Sequence, residues 1–261
     1  MRENIPFIPE RDVKPREKGL TMMMDKGLSL REAENFVASS AEFTDVVKFG
    51  FGTALITHEL EEKNHVYKEG NLITYFGGTL FELYVIRGLF DDYRRLLDKY
   101  GMEMAEVSDG SMILPHNEKL QYIEKLSEQV TVLSEVGSKQ ADVVFPPNVW
   151  VAMMKAELEA GSWKVIAEAR ESGTTGIYNP DGSANTTLID DIIKQVQIEN
   201  VIWEAPNKSQ QAWFINLLGA NVNLGNIAPS EVVALETLRL GLRGDTFFQF
   251  LPDDLKQFPE R

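Results

Sequence analysis

Four short apolar runs in this sequence each deliver a glutamate at their end: Met104-Ala-Glu106-Val, Leu133-Ser-Glu135-Val, Val165-Ile-Ala-Glu168 and Ile202-Trp-Glu204-Ala. The glutamates lie 29, 33 and 36 residues apart (135−106, 168−135, 204−168), about the length of one strand-plus-helix unit. Such a run reads as a strand buried in a parallel sheet, with its carboxyl end feeding a loop. Alternation places Ile166, Glu168 and Arg170 on one face, and Val165, Ala167 and Ala169 on the other. Carboxylates carried at the same end of successive parallel strands line the mouth of a barrel.

Reading outward from these runs, eight strands alternate with helices. The candidate strands are residues 18–25, 45–52, 72–79, 102–107, 130–135, 163–169, 201–204 and 221–226. Ser29, with Glu32 three residues on, is a capping box for the first helix. The pattern predicts one continuous helical run from about residue 80 to residue 100. At 261 residues and 43% hydrophobic content, the expectation is a single-domain (β/α)8 TIM barrel, an α/β fold that commonly runs to about 250 residues. Residues 1–17 read as an irregular arm, 18–247 as the barrel and 248–261 as a tail. An open doubly wound sheet is the competing architecture, but no G-x-G-x-x-G follows the first strand.

Charge and composition narrow the function. A net charge of −14 with no basic stripe argues against nucleic acid as a partner. The absence of cysteine excludes disulfides, thiolate catalysis and zinc–sulfur sites. No run is long enough to span a bilayer, and the first residues lack a signal-peptide core. A soluble, cytoplasmic protein with no membrane partner is the expectation.

Barrel active sites sit at the carboxyl ends of the strands. The shortlist is therefore Asp25, Lys48, Glu106, Glu135, Glu168, Arg170, Glu204 and Asn223, with Lys139 and Lys208 in the loops beyond. Carboxylates in one concavity repel unless a cation intervenes, and Mg²⁺ held by glutamates, water and substrate oxygens resolves this. Lys48 and Lys139 are candidate proton carriers, and Lys48 also suits a Schiff base. Arg170 and Lys208 suit anion binding, and the segment Ser172-Gly-Thr-Thr-Gly offers backbone N–H groups. His58, His65 and His116 have no partners at ligand spacing and are expected at the surface. Arg239 and Arg243 suit phosphate, but an ordinary eighth helix carries them toward the opposite end of the barrel, so they stay outside the site.

The motifs carry a resemblance. Lys14-Pro-Arg-Glu-Lys-Gly-Leu-Thr, Gly77-Gly-Thr-Leu-Phe-Glu82, Glu106-Val-Ser-Asp-Gly-Ser111 and Ser134-Glu-Val-Gly137 resemble the phosphosulfolactate synthase family. So do Glu168-Ala-Arg-Glu-Ser-Gly173, Glu204-Ala-Pro-Asn-Lys-Ser-Gln-Gln211, Val222-Asn-Leu-Gly-Asn-Ile227 and Gly241-Leu-Arg-Gly-Asp-Thr246. The resemblance implies a (β/α)8 barrel, a homotrimer and Mg²⁺-dependent addition of sulfite to phosphoenolpyruvate, giving (2R)-O-phospho-3-sulfolactate. It places Lys139 as the donor of the proton to C2, with Lys48 as the second choice or the partner of sulfite. Glu106, Glu135 and Glu168 are then the expected metal ligands. Arg170, Ser172, Lys208, Asn223 and Asn226 are expected to hold phosphate and sulfonate. Two other readings stand beside this one: a Schiff-base aldolase acting on a phosphorylated substrate through Lys48, and a non-catalytic barrel like the family's plant heat-stress relatives.

Overall fold

The computed structural model describes residues 5–137 and 145–256. The barrel units run β1 (Thr21–Asp25), α1 (Leu30–Ser40), β2 (Val46–Phe49), α2 (Leu60–Glu69), β3 (Ile73–Phe76), α3 (Gly78–Val85), α4 (Phe90–Tyr100) and β4 (Met104–Val107). They continue with α5 (His116–Ser127), β5 (Thr131–Val136), α6 (Pro147–Glu159), β6 (Ser162–Ala167), α7 (Thr186–Gln195), β7 (Val201–Glu204), α8 (Lys208–Leu218), β8 (Leu224–Ile227) and α9 (Val232–Arg239). All strand pairs are parallel, in the order β3-β2-β1-β8-β7-β6-β5-β4. The sheet is a nearly closed eight-stranded barrel, as its sequence pattern predicts.

Where the ladder ends, between β3 and β4, side chains take over. Glu106 on β4 accepts from the Tyr75 hydroxyl of β3 at 2.8 Å and from the Gly78 amide at 2.6 Å. This carboxylate clasps the open seam. Gly78 has to be glycine, because a Cβ there would lie 2.7 Å from Glu106 Oε1.

Alternation along the strands separates two cores. Met22, Val46, Tyr75, Met104, Leu133, Ile166 and Ile202 fill the barrel interior. The outward residues, such as Val47, Ala105, Val132, Val165, Ala167, Val201 and Trp203, pack with the helices. Two residues beyond the interior layer come Lys48, Glu106, Glu135, Glu168 and Glu204, so a charged layer lies directly over an apolar plug. The single helix expected over residues 80–100 is two, α3 and α4, because Gly88 turns the chain with φ +70°.

The described part of the N-terminal arm has no regular structure, yet it is tightly held. Arg11 donates to Glu236 Oε1 at 3.1 Å, to the Ala220 carbonyl at 3.0 Å and to the Gly19 carbonyl at 2.9 Å. Arg16 forks onto both oxygens of Asp45 at 2.9 Å. The arm thereby seals the amino-terminal end of the barrel.

Candidate active site

A cavity of about 400 Å³ opens over the carboxyl ends of the strands, lined by Lys48, Glu106, Glu135, Glu168, Glu204 and Asn226, with Arg170 and Ser172 at its rim. Lys48 is its centre. Its ammonium lies 2.9 Å from Glu106 Oε2, 3.6 Å from Glu135 Oε2 and 3.7 Å from Glu204 Oε1. Glu168 accepts from the Arg170 amide at 2.5 Å, and this short bond turns the chain at Arg170, whose φ is +53°.

Electrostatics set the carboxylates apart. Glu106 is engaged on both oxygens, Oε2 by Tyr75 and Lys48 and Oε1 by the Gly78 amide. Burial first, then the charge of Glu106, raises the Tyr75 phenol well above its usual range, so Tyr75 stays a donor. Glu204 behaves differently. Burial, opposed by Lys48 and reinforced by Glu135 and Glu106, pushes its carboxyl up to about 7. One Glu204 oxygen accepts from the Ala169 amide at 3.0 Å. The other, together with Asn226 Oδ1, has no hydrogen-bond partner among the described residues. Asn226 Oδ1 is therefore a buried acceptor with capacity left for a ligand, while Glu204 Oε1 has the Lys48 ammonium 3.7 Å away.

The structure brings Lys48, Glu106, Glu135, Glu168, Arg170, Ser172 and Asn226 to one mouth, as their positions in the sequence predict. Lys139 lies outside the described residues. Two expected site residues belong elsewhere. Asn223 precedes β8 rather than ending it, because the strand begins at Leu224. Its side chain bonds the Leu20 amide and the Glu199 and Val201 carbonyls at the barrel floor. Lys208 opens α8 and pairs with Asp245 at 3.0 Å, outside the cavity lining. Asp25 is structural too, since the Tyr67 hydroxyl, the Lys63 ammonium and the amides of Gly27 and Leu28 surround its carboxylate. Excluding Arg239 is upheld: it is fully buried and donates to the Leu20, Ala220 and Val222 carbonyls. His116 departs from the surface expectation, as its ring, 30% exposed, meets the buried Glu157 at 3.2 Å.

Among the described residues, no group of three His, Cys, Asp or Glu side chains is arranged to hold a metal ion. The chemistry of the mouth is that of one ammonium facing three carboxylates, with Glu168 and Glu171 also in the lining and an exposed guanidinium at the rim. Such a layer can hold an anion against Lys48 and Arg170, and can offer oxygens to a hard cation.

A sequence model of the family described as (2R)-phospho-3-sulfolactate synthase (ComA) matches residues 9–245. The chain is 44% identical over 244 residues to phosphosulfolactate synthase of Bacillus subtilis (strain 168), covering 92% of this chain and 97% of that one. It is 39% identical over 244 residues to phosphosulfolactate synthase of Methanothermobacter thermautotrophicus (strain Delta H), covering 91% and 95%. Among solved structures, 3-keto-L-gulonate-6-phosphate decarboxylase from Vibrio cholerae O1 biovar El Tor superposes with a TM-score of 0.56 at 13% identity, over 90% of this chain and all of that one. That likeness extends to the barrel fold alone. With a family match across the barrel and relatives aligned over nearly their full length, the chain belongs to the phosphosulfolactate synthase family.

Proposed function

We propose that this protein is a phosphosulfolactate synthase, a carbon–sulfur lyase running in the synthetic direction. Sulfite sulfur attacks C3 of phosphoenolpyruvate, the C2–C3 π electrons pass to C2 and the carboxylate, and a proton then adds to C2 to give (2R)-O-phospho-3-sulfolactate. The observation that carries this reading is Lys48, held between Glu106, Glu135 and Glu204 at the mouth of a chain matched to the family over residues 9–245.

The residues divide the work by charge. Lys48 supplies a fixed positive charge where the anionic substrates converge and the enolate charge develops. Arg170 and Ser172 hold phosphate and sulfonate at the rim, and Asn226 can add its amide N–H to them from within the lining. Lys139 is assigned the proton to C2 on the family resemblance, with Lys48 as the described alternative. Glu106 is not suited to bind a metal, because its oxygens already serve Tyr75, Gly78 and Lys48. Glu135 and Glu168, with the Asn226 oxygen, would hold a Mg²⁺, a hard cation that takes oxygen donors. When bound, the cation supplies charge stabilisation at the substrate carboxylate. A Schiff base at Lys48 requires the neutral amine, and three carboxylates within 4 Å favour the ammonium instead.

The same reading extends to a cytoplasmic homotrimer. Among the described residues, no helix is long and apolar enough to cross a membrane. The test is incubation with phosphoenolpyruvate, sulfite and Mg²⁺, followed by ³¹P NMR for phosphosulfolactate, with and without a chelator. Product that forms only with sulfite, and is lost on chelation, is expected. No sulfite-dependent product from folded protein overturns the activity, and full activity under chelation overturns the metal.

A further inference from the structure

Between β5 and the helices α5 and α6 lies a second buried ionic group, outside the proposed chemistry. Lys119 on α5 is fully buried. Its ammonium donates to Asp109 Oδ1 at 2.9 Å and to the Glu135 carbonyl at 2.6 Å, and it pairs with Glu157 Oε1 at 2.9 Å. An ammonium has three N–H donors, so these three acceptors occupy it completely. Glu157 on α6 is also fully buried, and its second oxygen has no hydrogen-bond partner among the described residues.

Stability alone is a weak reason for such a group. Withdrawing ions from water carries a large penalty, and replacing a buried ion pair with well-packed apolar residues is often neutral or stabilising. The geometry supplies another reason. The carbonyl that Lys119 holds belongs to Glu135, whose carboxylate reaches Lys48. The aspartate it holds lies in the loop after β4, the strand of Glu106, two residues before Ser111 in the cavity wall. One ammonium therefore fixes the ends of two neighbouring strands, and each strand carries a carboxylate against Lys48.

We propose that Lys119 is a positioning residue for the reaction at the mouth: it sets the β4 and β5 strand ends so that Glu106 and Glu135 hold Lys48 in line with the substrates. This rests on the functional reading above. Small displacements of a catalytic group, near 1 Å, cost about 10²-fold in rate.

The experiment compares the full-length wild type with Lys119→Met, Glu157→Gln and the double variant Lys119→Met/Glu157→Gln. The double variant removes both members of the buried pair, so it keeps the proposal testable if Lys119→Met alone fails to fold. A folded double variant is expected to lose about 10²-fold in kcat with the phosphoenolpyruvate KM little changed. Glu157→Gln, which keeps an acceptor for the ammonium, is expected to lose far less. Backbone hydrogen exchange at residues 109–111 and 136–137 should quicken in the double variant while the rest of the barrel stays protected. Native kcat in a folded double variant overturns the proposal. So does failure of both Lys119 variants to fold while Glu157→Gln folds, because Lys119 is then a stability residue. A wild type that consumes no sulfite sinks the functional reading instead, and the exchange comparison still decides whether Lys119 fixes these two strand ends.

Discussion

The floor and the mouth of the barrel both bury charge, and they treat it in opposite ways. At the floor, cations lie against fixed acceptors, with Arg239 Nε alone of that guanidinium's nitrogens lacking a hydrogen-bond partner among the described residues. Arg239 donates to three carbonyls, Arg16 forks onto Asp45, and Arg11 joins Glu236 to the Ala220 and Gly19 carbonyls. At the mouth, three carboxylates gather around one described lysine, Glu204 is pushed up to about 7, and Glu204 Oε1 and Asn226 Oδ1 have no hydrogen-bond partner among the described residues. Charge that is locally satisfied acts as a staple. Charge left in excess, in a concave site, is arranged for something that arrives from solution.

The largest test of that contrast is Lys48→Met. Losing the central cation should lower kcat by about 10³-fold, measured as sulfite-dependent product formation on protein checked for folding. Turnover near native would mean that Lys48 is only one more staple. Arg239→Met is the counterpart at the floor. Three carbonyls lose their donor, so stability should fall by roughly 3 kcal/mol, read by denaturant unfolding, while kcat of the folded fraction stays native. A kcat loss as great as that of Lys48→Met would erase the distinction between the two ends.

The pH dependence sharpens the contrast further. Burial lifts the folded-state pKa of Glu204 to about 7, above the 4.5 of a glutamate free in water. The folded state therefore binds the proton more tightly, and the resulting stability is complete below 4.5 and lost as pH rises through 7. The loss is of order 3 kcal/mol across that window. Unfolding free energies of wild type and Glu204→Gln between pH 4.5 and 7.5 should converge at the acid end and diverge toward the neutral end, with the wild type falling. Parallel curves would return Glu204 to the ordinary carboxylates. The smallest effect belongs to Lys208→Ala. An exposed pair with Asp245 contributes no more than about 0.5 kcal/mol, and the phosphoenolpyruvate KM should stay within about twofold, since so small a free energy changes affinity by little more. A tenfold rise would bring Lys208 back into the site.

How far the sequence discloses all this depends on the distance over which each feature is encoded. The charged layer was legible because it is local: a strand puts residues i and i+2 on one face, so Ile166 and Glu168, or Leu133 and Glu135, declare themselves together. The boundary of β8 was not. Asn221 to Asn226 alternates convincingly, yet pairing begins only at Leu224, and a shift of three residues moved Asn223 from mouth to floor. The split between α3 and α4 was hidden because Gly88 interrupts an otherwise continuous apolar pattern. Lys119 gave no signal at all. On a polar helix it reads as a solvated side chain, and only the approach of Asp109, Glu135 and Glu157 from three other segments reveals its role. The double duty of Glu106 was equally invisible, since no sequence pattern says which two strands of a barrel will fail to pair.

That seam carries a consequence for descent. At Glu135, Glu168 or Glu204 another side chain disturbs contacts that stay within the mouth: the Lys48 ammonium and the amides of Ala169 and Arg170. At Glu106 the same experiment also unfastens β3 from β4, because Tyr75 and Gly78 lose their shared acceptor. Relatives that abandon the chemistry should therefore let the other glutamates drift while holding this one in place. A glutamate surviving at that position, alone among altered neighbours, would mark a barrel still inheriting its latch after forgetting its substrate.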